Sequence, residues 1–366
     1  MESNQSQAAA KVDESRLWQR LMELGQIGAT DKGGVCRLAL TDEEIRARRL
    51  LIAWAQEIGL GVYTDEISNL FFRLEGSDRS AAPVVTGSHI DSQPTGGKFD
   101  GAYGVVAGFE AVQAIVESGL TPAKPIEIVA WMNEEGSRFS PGMMGSEAFA
   151  GRRPLEQILA VSDADGVSTA EALEKTLAAF PDIERRELGF AVAAFLEAHI
   201  EQGPILEEMG IPVGVVTGIQ GSRRFRVEVI GEDGHAGTLP MPARKDALFA
   251  ALDMIGAMRR AFEPDEAKFT VGLFELSPNA PSVVPSRAFF SIDIRHPDWP
   301  ILSRLGDDVS TLCEANSGVC SVAVTEIATS ESLEFPTDIR NCIAQSAEGL
   351  GIPTTQILSL AGHDAR

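Results

Sequence analysis

The sequence predicts an α/β protein with a smaller α+β domain inserted into the larger one. Three observations predict it. Short apolar runs alternate with stretches of helical periodicity. Several of those runs finish on histidine or acidic residues, as expected where strands deliver a ligand site at their carboxyl ends. From about 212 to 328 the rhythm changes to strand, strand, helix, strand, strand, helix, strand. The expected boundaries are 1–211 with 329–366 for the larger domain and 212–328 for the inserted one.

In chain order, residues 14–28 and 41–58 carry helical periodicity, and Thr41 followed by Glu44 has capping-box spacing. "GVYTDEISNLFFRLEG" alternates as strands do. "APVVTGSHID" is a short buried strand that runs into the glycine-rich loop "GSHIDSQPTGGKFDGAYGV". "YGVVAGFEAVQAIVESGL" follows as a helix, with apolar residues three and four apart. "PIEIVAWMNEEGSRF" is a second buried strand, and "FAVAAFLEAHIEQG" is a third strand or a short helix. The inserted domain takes "VGVVTGI", "RRFRVEVIG", "KFTVGLFEL", "RAFFSIDIR" and "CSVAVTEIATS" as strands. Its helices are "KDALFAALDMIGAMRRAF" and "WPILSRLGDDVSTLCEANSG". "ESLEFPTDIRNCIAQSAEGLGIP" resumes helical character before "TTQILSLAGHDAR".

Composition narrows the function classes. The chain has 366 residues, 44% hydrophobic and 23% charged, with a net charge of −22. Such a charge argues against a general affinity for nucleic acid or anionic membrane. Cys36, Cys313, Cys320 and Cys342 form no C-x-x-C pair, which fits a reducing compartment. No signal-like leader and no membrane-length apolar run is present, so a cytoplasmic soluble protein is expected.

The strand ends carry the chemistry. His89 and Asp91 share a face of an extended strand end, where Asp91 is placed to orient the imidazole of a metal-bound histidine. Asp100 lies on a glycine-flanked turn free to bring a carboxylate inward; a plain turn-former is the alternative. Glu134 and Glu135 end an apolar strand, where two buried unpaired acids would be costly. A cation removes the repulsion and leaves one carboxylate to bind it and the other to take a proton from water. Solvated loop acids are the alternative. His199, with Glu201, ends the next element. Histidine and carboxylate without cysteine suit Zn²⁺, Mn²⁺, Co²⁺ or Ni²⁺. His235, between glycines in "GEDGHAGTLPMPARKD", is either a surface histidine or one offered to a substrate carbonyl. Arg295, in "SIDIR", is either solvated or a bidentate holder of a substrate carboxylate.

Taken together and in order, "GSHIDSQPTGGKFDGAYGV", "NEEGSRF", "AHIEQGP", "GHAGTLPM" and "AGHDA" resemble the hydantoinase/carbamoylase branch of the metal-dependent M20 amidohydrolases. That branch holds N-carbamoyl-L-amino-acid hydrolases, β-ureidopropionases and allantoate amidohydrolases. The motifs span almost the whole chain. The resemblance implies a mixed-sheet catalytic domain of the zinc-peptidase-like type, an inserted lid and dimerisation domain, a homodimer, and two divalent metal ions. It gives His89 to one ion, Asp100 as a bridge between both, and Glu135 and His199 as further ligands. Glu134 matches the general base. His235 matches the residue on the substrate carbonyl and Arg295 the one on its carboxylate. Gln202 and His363 line the same site. Asn279 and Ser282 fall in the substrate-contact segment "PNAPSVVPS", where Ser282 stands in place of the asparagine of an N-x-[VI]-P pattern. A cis peptide is implied at Asp100–Gly101. A further metal-binding histidine is implied beyond "GHDA". The chain ends at Arg366, so one ion is expected to be a ligand short and this form weakly active or inactive.

The implied reaction is hydrolysis of a small ureido acid, an N-carbamoyl-L-amino acid, to the amino acid, carbon dioxide and ammonia. The alternatives are allantoate amidohydrolase and an inactive relative that only binds ligand. "HIEQGP" and "GHAGTLPM" argue against an M20 peptidase.

Overall fold

Leu70, Phe72, Ile128 and Ala130 alternate with Phe71 and Val129 along two neighbouring strands, and all are buried. Side chains on a strand alternate between faces, so both faces of this sheet are covered. The computed structural model of the protein describes residues 4–366. It shows two units, Met1–Gln202 with His363–Arg366, and Gly203–Gly362.

The first unit is built on a six-stranded mixed sheet. Its strands are β1 (Gly61–Thr64), β2 (Leu70–Leu74), β3 (Val84–His89), β4 (Ile126–Trp131), β5 (Glu184–Arg185) and β6 (Ala194–Leu196). They lie in the order β5-β1-β2-β4-β3-β6. β3 runs parallel to both β4 and β6. One face packs Leu51, Trp54, Val105, Phe109 and Val112 from the helices Asp42–Ile58 and Ala102–Glu117. The other holds Phe71, Val85, Val129 and Trp131 under Phe149, Phe190 and Phe195. Each such side chain contributes about 1.5–3 kcal/mol when buried.

The helix Asp42–Ile58 starts where the sequence expects, but only half of the capping box forms. The Thr41 side chain accepts from the Glu44 N–H. The Glu44 carboxylate instead accepts from the Leu40 N–H and pairs with Arg48, both fully buried. The two carboxylate oxygens are divided between a buried arginine and a backbone N–H, so neither buried charge is left unpaired.

The second unit contains two larger sheets. Its strands are β7 (Val213–Ile219), β8 (Gly221–Ile230), β9 (Gly234–His235), β10 (Lys268–Thr270), β11 (Phe274–Ser277), β12 (Val283–Val284), β13 (Arg287–His296), β14 (Ser321–Ser330), β15 (Leu333–Glu334) and β16 (Thr354–Ser359). An antiparallel sheet runs β10-β13-β8-β14, with β11 also on β13. One face carries the helices Ala247–Phe262 and Trp299–Ala315, packed through Met254, Met258, Leu302, Leu305 and Val309 onto Phe225, Val227, Phe290 and Ile292. "KFTVGLFEL" is not one strand: β10 and β11 are separate pieces that pair with different stretches of β13. β15, β7 and β16 form a small mixed sheet. Among the described residues no helix is long and apolar enough to cross a membrane.

Candidate metal centre

Sheet order explains why distant motifs meet. β4, β3 and β6 are adjacent and parallel, so their carboxyl ends lie side by side. His89 is the last residue of β3 and pairs with Trp131 of β4, three residues before Glu134. β6 runs on to Glu197 and His199.

Asp100 arrives by a tight turn. The Ala102 N–H donates to the Asp100 carbonyl at 2.6 Å, and Gly101 between them has φ +62° and ψ −49°. This is the strained γ-turn with positive φ, which a side chain would resist. A Cβ at Gly101 would also sit 2.3 Å from His89 Nε2. The Asp100–Gly101 bond is trans, contrary to expectation. Among the described residues the cis bonds are Ser140–Pro141 and Ser277–Pro278. The turn is made by the dihedrals of Gly101 instead.

The ring nitrogens define the site's character. His89 Nδ1 lies 3.0 Å from the Asp91 carbonyl oxygen, and His199 Nδ1 lies 2.9 Å from that of Ile200. Each Nδ1–H therefore donates to backbone, which fixes the tautomer and leaves a lone pair on Nε2. His89 Nε2 faces Glu134 Oε2 at 3.5 Å, and His199 Nε2 faces Asp100 Oδ1 at 3.3 Å. Lone pair confronts carboxylate in both places, an arrangement that calls for a cation between them. Donor atoms of His89, Asp100 and His199 lie within 4.8 Å of one another, and so do those of Glu197, His199 and His363. The Glu135 Oε1 atom is buried without a hydrogen-bond partner, while its Oε2 accepts from the Gln93 amide at 2.6 Å. These residues fit a divalent ion.

Asp91 anchors the acid pair. Its two carboxylate oxygens accept from the N–H groups of Glu134 and Glu135, each at 3.2 Å. Gln202 donates from its amide to Asp100 Oδ2 at 2.8 Å. The His363 ring lies against His199, centroids 4.4 Å apart.

Crowded acids shift one another. Burial pushes Glu134 up to about 8, reinforced by Asp91, Glu135 and Glu197 and opposed by His89. Burial likewise raises Glu135. For His89, burial acts downward but is outweighed by Glu134, Asp91 and Asp364, so the ring is held well above its ordinary value. His363 is lowered to about 3, by burial first and then by His199 and His89.

Sequence reasoning missed three contributors. Glu197 accepts from Ser88 Oγ at 2.6 Å and from the Ala365 N–H at 2.8 Å, and its carboxyl is raised by burial. Asp364 accepts from Ser146 Oγ, leaves Oδ2 buried without a partner, and is raised by burial and by Glu197 and Glu134. Both acids sit within two residues of a histidine already singled out, which was the available signal. Arg37, 1% exposed, donates to the carbonyls of Ile90, Leu24 and Ile27 and so holds the His89–Asp91 turn from behind. An arginine inside the apolar run "VCRLAL" marks it.

The second unit holds the other candidates. The His235 Nδ1 accepts from the Gly237 N–H at 3.1 Å, which leaves Nε2–H as an exposed donor. Ser282 lies beside it, its carbonyl accepting from the Ala236 N–H. Asn279 is exposed on the loop before Ser282, with φ +51°. Arg295 lies on β13, gripped by Asp293.

The sequence pattern of peptidase family M20/M25/M40 matches residues 85–366. The chain belongs to that family. It is 40% identical over 363 residues to the N-carbamoyl-L-amino acid amidohydrolase of Geobacillus stearothermophilus, covering 96% of this chain and 87% of the relative. It is 35% identical to the allantoate amidohydrolase of Bacillus subtilis, over 94% of this chain and 84% of that one. A crystal structure of a hydantoinase/carbamoylase family amidase from Burkholderia ambifaria superposes with a TM-score of 0.87 at 39% identity, covering 99% and 88%. The chain therefore stands in the hydantoinase/carbamoylase branch of the M20 family, with the mixed α/β fold expected of it.

Proposed function

We propose that the protein hydrolyses the ureido C–N bond of an N-carbamoyl-L-amino acid to the amino acid, carbon dioxide and ammonia. The observation that carries this is the pairing of two Nε2 lone pairs with two carboxylates at the joined ends of β3, β4 and β6. Similarity to N-carbamoyl-L-amino acid amidohydrolases supports the substrate class. Similarity to an allantoate amidohydrolase supports a second reading, with allantoate as substrate.

In this reading His89, Asp100, Glu135 and His199 hold two divalent ions of zinc, manganese, cobalt or nickel. Such ions supply Lewis acidity toward a carbonyl oxygen and toward water. Glu134 takes a proton from the attacking water and returns it to the leaving nitrogen. Its burial, which favours the protonated form, suits a carboxyl that must carry a proton near neutral pH. Asp91 keeps the Glu134 and Glu135 backbones in place during that transfer. His235 donates from Nε2 to the developing oxyanion, and Arg295 holds the substrate carboxylate. Gln202, Asn279, Ser282 and His363 complete the substrate surroundings. Residues 212–328 act as the lid, and β14, an end strand of its sheet among the described residues, favours a homodimer through that domain. Ammonia release from a panel of ureido acids and allantoate, with metal analysis of the same sample, tests the reading. Tight binding of both ions with no release from any of them would overturn it.

A further inference from the structure

The face of the β10-β13-β8-β14 sheet away from its helices is unevenly charged. Lys268 of β10, Arg295 of β13 and Ser222 of β8 are direct cross-strand partners, and the next row brings Thr270, Asp293 and Arg224 together. Arg226 pairs with Ser291 one row further. Successive residues on one face are roughly 7 Å apart along a strand. This end of the sheet therefore carries four cationic side chains, Arg224, Arg226, Lys268 and Arg295, against the one carboxylate of Asp293. The surplus sits in a chain whose net charge is −22.

Asp293 fixes two of the cations. It accepts from Arg295 Nε and Nη2, each at 3.0 Å, and from Arg224 Nε at 3.1 Å. Both guanidiniums are held side by side and keep further N–H donors free for an anion. Arg226 and Lys268 are exposed and make no hydrogen bond or ion pair among the described residues. The side chains between them are Ser222, Thr270, Ser291, Thr325 and Ala328, with the exposed Ile327 at the bulge before Ala328 as the one large apolar neighbour. The opposite end of the same face differs. There Arg287 is paired with Glu228 at 2.6 Å, Glu275 adds an acid, and Phe289 and Ile230 are apolar.

We propose that the basic end of this sheet is a second anion subsite, and that the substrate is a ureido acid bearing a second carboxylate, the N-carbamoyl derivative of an acidic L-amino acid. The inference rests on the reading that Arg295 holds the α-carboxylate. One carboxylate is satisfied by one guanidinium fork. A second fork locked beside it, with Arg226 and Lys268 next in line, matches a second carboxylate. A neutral aliphatic side chain would leave the surplus charge unused.

The test compares kcat/KM for N-carbamoyl-L-glutamate and N-carbamoyl-L-norvaline, in the wild-type holoenzyme and in Arg224→Gln/Arg226→Gln. The wild type should favour the diacid. The double variant should lower the diacid-to-neutral ratio by about 10- to 100-fold, the scale of one or two charge-assisted hydrogen bonds. Arg226→Lys should keep most of the ratio, which separates charge from misfolding. Hydrolysis of both compounds with no diacid preference, or a ratio unmoved in the double variant, would overturn the inference and leave the ureido-hydrolase reading standing. Hydrolysis of neither compound, nor of any other ureido acid, would sink both.

Discussion

The metal-centre cluster and the basic sheet face are both concentrations of like charge, but they are stored in opposite ways. At the strand ends the excess is negative and buried, with Glu134, Glu135, Glu197 and Asp364 all raised first of all by burial. On the sheet the excess is positive and exposed, and Asp293 raises Arg295 further, mainly by hydrogen bonding. A buried imbalance is expensive and must be relieved continuously, by a tightly held cation or by protons. An exposed imbalance is screened by water and salt, so it can stay open between turnovers. The contrast suits a resident small cation in the first region and a transient anion in the second.

Removing the resident cation should have the largest effect. Dialysis against a chelator should abolish ammonia release, and a divalent ion should restore it. Undiminished turnover in a sample shown by metal analysis to be metal-free would break the contrast at once. Next in size is the proton carrier. Glu134→Gln should keep its metal content while kcat falls by on the order of 10²–10⁴-fold. A variant that lost metal along with activity would move Glu134 from proton carrier to ligand.

Smaller effects separate burial from backbone strain. Gly101→Ala places a methyl 2.3 Å from His89 Nε2 at φ +62°. Metal affinity should fall by about 10- to 100-fold, as when a ligand's supporting shell is disturbed. Gly210→Ala is the control, since φ there is +64° and nothing lies within 4 Å. It should cost about 1 kcal/mol of stability and leave metal affinity alone. Equal loss of metal in both variants, read by titration with a chromophoric competitor, would remove the steric argument.

Much of the first region was legible in sequence because polar residues closing apolar runs stand out. His89, Glu134 and His199 each end such a run, and the parallel order β4-β3-β6 places those ends together. Glu197 and Asp364 were signalled only by their nearness to His199 and His363. One acid in an exposed loop is ordinary, and these two become costly only when strand register and the return of His363–Arg366 bury them. The basic face was invisible for a related reason. Arg224 and Arg226 look like solvated alternate positions of a strand until the β8–β13 register sets them beside Asp293 and Arg295. The sequence marks Gly101 as turn-permissive, but the demand for glycine comes from the imidazole behind it.

The smallest expected effect is on stability against pH in the metal-free protein. Glu134 is raised from 4.5 to about 8 in the folded state, so the native form holds a proton that the unfolded chain gives up. Between those values unfolding releases protons, and stability falls as pH rises. Glu135, Glu197 and Asp364 are shifted in the same direction and add to the fall. His89, also raised, contributes stability that is complete below its unfolded value of 6.5 and is lost above it. His363 has the opposite sign: lowered from 6.5 to about 3, it resists the proton that the unfolded chain accepts, so it costs stability as pH falls below 6.5. The two trends oppose each other between 4.5 and 6.5, and from 6.5 to 8 only the loss with rising pH remains. The Tm of the metal-free protein should therefore drop by several degrees from pH 6.5 to 8, roughly what a change of one to two kcal/mol gives in a protein of this size. The metal-loaded protein should not follow, because the ion replaces the protons. Parallel melting curves for both forms across this window would contradict the view that the buried acids are waiting for a cation.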